Sequence, residues 1–136
     1  MRYLLDTDTC VWVLRERDPV FSRVRGTSPD DLAIATTTEA ELRYGALHSR
    51  EPVRNLVMVE AFTAAPISVL PFDRRAARVH AELRVALRTQ PIGERDLVIA
   101  SVALAHGLAV VTGNVHEFAR VPGLAVEDWT RGRTPA

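Results

Sequence analysis

Four short apolar runs, Tyr3-Leu4-Leu5, Leu32-Ala33-Ile34-Ala35, Ile67-Ser68-Val69-Leu70 and Leu108 to Val111, alternate along this chain with segments of helical periodicity. Alternation of this kind argues for strands joined by helical crossovers, and so for parallel pairing. Strands are expected at 2–6, 32–35, 67–70 and 108–111, with a last short one at 124–127. Helices are expected at 8–16, after Pro19, from Thr36-Thr37-Thr38 to about His48, from about Pro52 to Ala64, from about Arg74 to Leu87 and from about Glu94 to His106. Ala76, Val79, Leu83 and Leu87 share one helix face, and Gly107 is a natural C-cap. The expected fold is α/β: three layers, with a mainly parallel central sheet of four to five strands flanked by helices. No repeat or linker interrupts the pattern, so residues 1–136 are read as one domain with a real core.

Composition excludes several functions. Net charge is zero, so nucleic-acid binding would need a local basic patch. All 17 basic residues are arginine and none is lysine. P-loop nucleotide hydrolases need a phosphate-cradling lysine, and Asp-x-Asp phosphatases and receiver domains also rely on one. Asp6-Thr7-Asp8 superficially suggests the latter two, and the absence of lysine argues against both. A single cysteine, Cys10, excludes an internal disulfide framework and fits a reducing cytoplasm; with Val11 and Trp12 beside it, a packed thiol is expected. No segment approaches the roughly 18 apolar residues of a membrane span, and Asp6 and Asp8 interrupt any signal-peptide pattern.

Candidate chemistry collects at the polar ends of these elements. The first run stops on Asp6, and the fourth turns out through Thr112-Gly113-Asn114. In open parallel sheets the carboxyl ends of strands are where ligands bind, and parallel neighbours would share that edge. Asp96 lies in the first turn of its helix, on a face continued by Ile99, Ala100, Ala103 and Gly107, and is expected to point inward. Glu41 heads another helix, with Gly45 one turn on. Each acid also has a structural reading. Asp6 or Asp8 can cap the first helix, Thr36-x-x-Glu39 and Thr38-x-x-Glu41 fit capping boxes, and Asp96 suits the helix dipole. Taken together, inward carboxylates repel, and each costs several kcal/mol to desolvate unpaired. A divalent cation resolves the conflict, because Mg²⁺ takes oxygen ligands and needs only two direct carboxylates. Arg43 and Arg95 are the competing explanation, as ion-pair partners of Glu41 and Asp96.

Leu5-Asp6-Thr7-Asp8, Glu41-Leu42-Arg43-Tyr44-Gly45-Ala46, Ile92 to Ala100 (Ile-Gly-Glu-Arg-Asp-Leu-Val-Ile-Ala) and Val111 to Phe118 (Val-Thr-Gly-Asn-Val-His-Glu-Phe) resemble, in order, the motifs of PIN-domain ribonucleases. They are most similar to those of VapC toxins from bacterial toxin–antitoxin operons. The stretch from Val121 to Trp129 resembles the usual VapC ending. This resemblance covers nearly the whole chain. It implies a small PIN fold, dependence on Mg²⁺ with Mn²⁺ as a substitute, and endoribonuclease activity on a structured RNA, tRNA first among the expected targets. It also implies a homodimer neutralised by a VapB-type antitoxin.

The family's first three acids fall on Asp6, Glu41 and Asp96. The fourth position falls on Asn114, where many PIN domains have Asp, or on Glu117 three residues later. The metal is expected on Asp6 and Asp96, with Glu41 as an outer-sphere ligand or as the residue orienting the attacking water. Thr7 and Thr112 are expected to fix the carboxylates or touch phosphate, and Arg43 and Arg95 to supply local RNA affinity. An antitoxin arginine could take the metal's place. Trp12, Val13 and Val57 are candidates for the partner groove or for the core. Three other readings stand beside this one: a catalytically inactive PIN-like binding module, an Asp-dependent phosphatase or phosphoacceptor, and a structural protein whose acids are caps.

Overall fold

A computed structural model describes residues 1–64 and 66–131. Strand β1 (Tyr3–Leu5) leads into helices α1 (Thr7–Leu14) and α2 (Val20–Arg25), then β2 (Leu32–Ala35), α3 (Thr36–Leu47) and α4 (Pro52–Thr63). β3 (Ser68–Leu70), α5 (Arg74–Ala86), α6 (Glu94–His106), β4 (Ala109–Val111), α7 (Val115–Phe118) and β5 (Val126–Glu127) follow. The strands form one sheet in the order β3-β2-β1-β4-β5, and every pairing is parallel. The expected α/β sheet is therefore present with five strands. Residues 132–136, the end of the expected single domain, lie outside the described residues.

A parallel sheet covered on both faces needs strands that are apolar on both sides, and these are. Leu5, Leu32, Ile34 and Val111 point into a core shared with Cys10, Val20, Val24, Leu42 and Val59 of the helices α1 to α4. Leu4, Ala33, Ala35 and Val110 point the other way, against Ala76, Leu83, Ala100 and Ala103 of α5 and α6. The single thiol, Cys10, is fully buried, and burial holds its proton on well above the usual range. Gly107 ends α6 at φ +67°, a left-handed conformation that glycine adopts without strain.

Strand order decides where a ligand can sit. β1 leads outward to β2 and β3 on one side, while β4 returns to pair on its other side. The direction of winding therefore reverses between β1 and β4, which opens a crevice at their carboxyl ends. Asp6 and Thr112 are the first residues beyond those two ends.

Local chemistry refines the expected boundaries. α1 starts at Thr7 rather than 8, because Asp6 itself is the N-cap and its Oδ1 accepts the Thr9 N–H at 2.9 Å. Asp8, expected as a cap or supporting residue, sits exposed in the first turn. Neither expected capping box forms in α3: its N-cap is Ala35, with no side-chain cap. Thr36 instead donates its hydroxyl to the Leu70 carbonyl at 3.1 Å, and buried Thr38 accepts the Thr7 hydroxyl at 3.3 Å. α7, a single turn, was not expected from the sequence; it opens where the Asn114 N–H meets the Thr112 hydroxyl at 2.9 Å.

Candidate active site

Asp6 is almost completely buried, 4% exposed, at the crevice between β1 and β4. Its main-chain N–H donates to the Val111 carbonyl at 3.0 Å, which ties the residue to both strands. Thr9 adds a second tie: its hydroxyl donates to the same carbonyl at 3.1 Å while its N–H holds the Asp6 carboxylate. Burial raises the Asp6 pKa above the ordinary aspartate value. Hydrogen bonds from Thr112 and Thr9 oppose that rise, and the charge of Asp8 adds to it. Thr112, itself fully buried, favours the charged form of this carboxylate.

Asp96 enters from the first turn of α6, half-buried beside Asp6. Ile99, Ala100 and Ala103 continue its face into the core, as their spacing predicted. Its pKa rises to about 7. Burial is the largest cause, followed by a hydrogen bond with Glu117 and repulsion from Glu117 and Asp6, with the Asn114 amide acting in the opposite sense. The two carboxylates titrate as a pair, which favours the proton on Asp96 and the charge on Glu117. Glu117 is held charged, with its pKa lowered, chiefly because its Oε1 accepts the N–H of Gly93. Asn114 spans the pair: its Nδ2 donates to Glu117 Oε2 and, at 3.4 Å, to Asp96 Oδ2.

Asp6, Asp96, Asn114 and Glu117 therefore meet in one place. Both candidates for the fourth position are in it, with Asn114 bridging the acids and Glu117 carrying the charge. Glu41 is different. It stands on the rim, its side chain one-third exposed, and its Oε2 is paired with Arg95 Nη1 at 3.1 Å. Arg43, expected beside Glu41 or Asp96, faces neither; it bridges Glu39 at 2.7 Å and Glu60 at 3.0 Å. The i, i+4 spacing of Glu39 and Arg43 on α3 explains the first of these pairs. Asp96 has no arginine partner among the described residues. Trp12 and Val13 pack partly against the core, whereas Val57 is exposed.

Two contributors were not anticipated. Gly93 supplies the amide that anchors Glu117, across a separation of 24 residues. Arg120 adds positive charge that favours ionised Glu117. Gly93 carries no local sequence signal, because it meets Glu117 only through the fold; Arg120 lies three residues from Glu117, and that spacing is the signal that could have found it.

The donor set suits a hard cation. All donors are oxygens, and three carboxylates crowd together with a proton where a counter-charge would serve. Among the described residues no three His, Cys, Asp or Glu side chains are grouped so as to hold a metal ion. Two carboxylates, Asp6 and Asp96, match a cation that keeps much of its hydration shell.

A groove of about 270 Å³ opens beside Glu41, between α1, α3 and α4, and is lined by Val11, Leu14, Leu42, Met58 and Val59. No helix among the described residues is long and apolar enough to cross a membrane.

Residues 3–124 match the PIN domain family model. Over 131 residues the chain is 36% identical to a Salmonella typhimurium protein described as tRNA(fMet)-specific endonuclease VapC, covering 95% of this chain and 98% of that one. It is 31% identical to ribonuclease VapC2 of Rickettsia felis, covering 96% and 100%. Its structure is similar to a chain of DNA-bound VapBC from Salmonella typhimurium, with a TM-score of 0.87 at 36% identity over 95% of this chain and 98% of the other. VapBC-1 from nontypeable Haemophilus influenzae is similar at a TM-score of 0.84 and 31% identity, over 96% and 100%.

Proposed function

Because this chain belongs to the PIN-domain family and to its VapC group, we propose that it is a divalent-metal-dependent endoribonuclease toxin that cuts a structured RNA. The observation that carries this reading is the convergence of Asp6, Asp96 and Glu117 at the reversal point of the sheet, with Asn114 bridging Asp96 and Glu117. Asp6 and Asp96 would hold the cation, Mg²⁺ or in its place Mn²⁺. When bound, such an ion supplies positive charge to the phosphoryl oxygens and acidifies bound water.

The chain's own residues do the rest. Thr9 holds the Asp6 carboxylate in a buried setting and Thr112 favours its charged form, so that little reorganisation is needed. Glu117, anchored on Gly93, orients Asp96 through Asn114. Glu41 accepts a proton from the attacking water once an RNA phosphate draws Arg95 away from it. Arg95 is four-fifths exposed, so its pairing with Glu41 contributes well under about 1 kcal/mol and is easily exchanged. With Arg43 turned away, Arg95 is the arginine placed to contact RNA at this rim.

tRNA is the proposed target, a reading supported by the description of the Salmonella relative. A VapB-type antitoxin is the proposed partner, supported by the VapBC complexes among the structural neighbours. The groove beside Glu41 would seat an apolar antitoxin segment, and an antitoxin arginine would then reach the carboxylates. A homodimer acting in the cytoplasm completes the proposal.

The test is incubation of antitoxin-free protein with a tRNA pool, with Mg²⁺ or with chelator, alongside Asp6→Asn and Asp96→Asn. Discrete metal-dependent fragments, lost in both variants, are expected. Cutting that survives chelation would overturn the mechanism, and absence of cutting would favour a PIN-like binding module.

A further inference from the structure

A second groove, of about 500 Å³, shares Arg15 with the groove beside Glu41 and continues over α1 to Trp12 and Arg17, ending against Gly113 and Thr130. Its inner end adjoins the acid site, since Gly113 lies between Thr112, which follows β4 as Asp6 follows its partner β1, and Asn114, which donates to Asp96. The Arg17 guanidinium carbon stands over the Trp12 ring, 4.4 Å from its centroid. Arg15 and Arg17 are both exposed, and among the described residues neither forms an ion pair. Arg23, Arg43, Arg54, Arg95 and Arg131 all do. Between Arg15 and Arg17, Glu16 adopts φ +53°, a left-handed conformation unfavourable for a residue with a Cβ. That turn lets the Arg17 N–H reach the Trp12 carbonyl at 2.9 Å, which returns the guanidinium to the indole.

We propose that this groove is a nucleotide subsite flanking the scissile phosphate, in which an unpaired RNA base stacks on the Arg17 guanidinium backed by Trp12, and Arg15 binds a backbone phosphate. The subsite presupposes the ribonuclease reading above. Charge complementarity favours RNA as the occupant. The carboxylates repel phosphate and the chain has no net positive charge, so local guanidiniums must do the attracting; Arg15 and Arg17 join Arg95 in that role and outnumber Asp8 on the same wall. A planar cation held over an aromatic ring presents the flat surface on which single-stranded bases stack, whatever their sequence.

The test uses full-length protein carrying Asp96→Asn, which stops cutting, titrated with a short single-stranded RNA of mixed sequence and followed by fluorescence anisotropy at several salt concentrations. Arg17→Ala is expected to weaken binding about tenfold. Arg17→Lys keeps the charge without the plane, so it is expected to retain the salt slope but not the affinity. Arg15→Ala is expected to reduce the salt slope by about one phosphate contact. Both arginines are exposed, so these variants should fold normally, and the thermal melt checks this. RNA binding unchanged in affinity and slope across all three variants overturns the subsite while leaving the ribonuclease reading intact. Full rescue by Arg17→Lys overturns the stacking role. If the protein neither binds nor cuts RNA, both readings fall.

Discussion

Glu117 reaches across 24 residues to accept the main-chain N–H of Gly93, the N-cap of α6, and so clamps the helix that carries Asp96. One carboxylate thereby does two jobs. It satisfies a helix-end amide that has no partner within the helix, and it places a negative charge against Asp96, helping to keep that residue protonated.

The two jobs separate by substitution. Glu117→Gln keeps an oxygen for the Gly93 amide but removes the charge, so the Asp96 pKa is expected to fall toward the ordinary aspartate value. Glu117→Ala loses the anchor as well and is expected to cost about 1 kcal/mol of stability. Carboxyl ¹³C NMR titration of Asp96 and urea denaturation read the two effects. An unchanged Asp96 titration in Glu117→Gln would show that burial alone sets it.

Asp96 also makes stability depend on pH. Its pKa is raised in the folded state, so between the unfolded value near 3.8 and about 7 the native protein binds more protons than the unfolded chain. Its contribution to stability is therefore fully present at low pH and lost as pH rises to about 7. Glu117, with a lowered pKa, acts oppositely at the acid end, its contribution being lost as pH falls through its folded value. Urea midpoints of metal-free protein should decline from pH 5 to pH 8, and Asp96→Asn should flatten that decline. Parallel profiles for the two proteins would contradict this assignment.

Cation binding must displace the proton that Asp96 holds. Affinity for Mg²⁺ is therefore expected to strengthen as pH rises toward and past about 7, with proton release. Mg²⁺ should raise the Tm of the wild type at pH 8 and have little effect on Asp6→Asn or Asp96→Asn. Calorimetry in buffers of different ionisation enthalpy detects the released proton. Equal Mg²⁺ binding by wild type and Asp96→Asn would remove Asp96 from the ligand set.

Thr112 stands fully buried beside the Asp6 carboxylate and favours its charged form, and Thr112→Val removes that hydroxyl while preserving shape. The Asp6 pKa should rise further. RNA cleavage should fall about tenfold, through kcat rather than KM, because the residue supports the carboxylate and is not proposed to touch RNA. A loss confined to KM would assign Thr112 to substrate binding instead.

The α/β class, the parallel sheet and the helix faces were legible because each follows from local periodicity. Leu4 and Leu5 point to opposite cores simply as successive strand residues, and Gly107 stops a helix through its own backbone freedom. The sequence could nominate Asp6, Glu41 and Asp96 by type and placement, and Asn114 and Glu117 through the family resemblance of their motif. Tertiary structure decided how they sort. Reversal of the strand order between β1 and β4 joined Asp6 to Asp96, Asn114 and Glu117. It left Glu41 on the rim with Arg95 and turned Arg43 toward Glu39 and Glu60. Periodicity states which face a residue occupies; the charge a carboxylate carries depends on which distant groups share its small volume and on how much water remains there. Those neighbours came from elements far apart in the chain, so only the folded chain determined them.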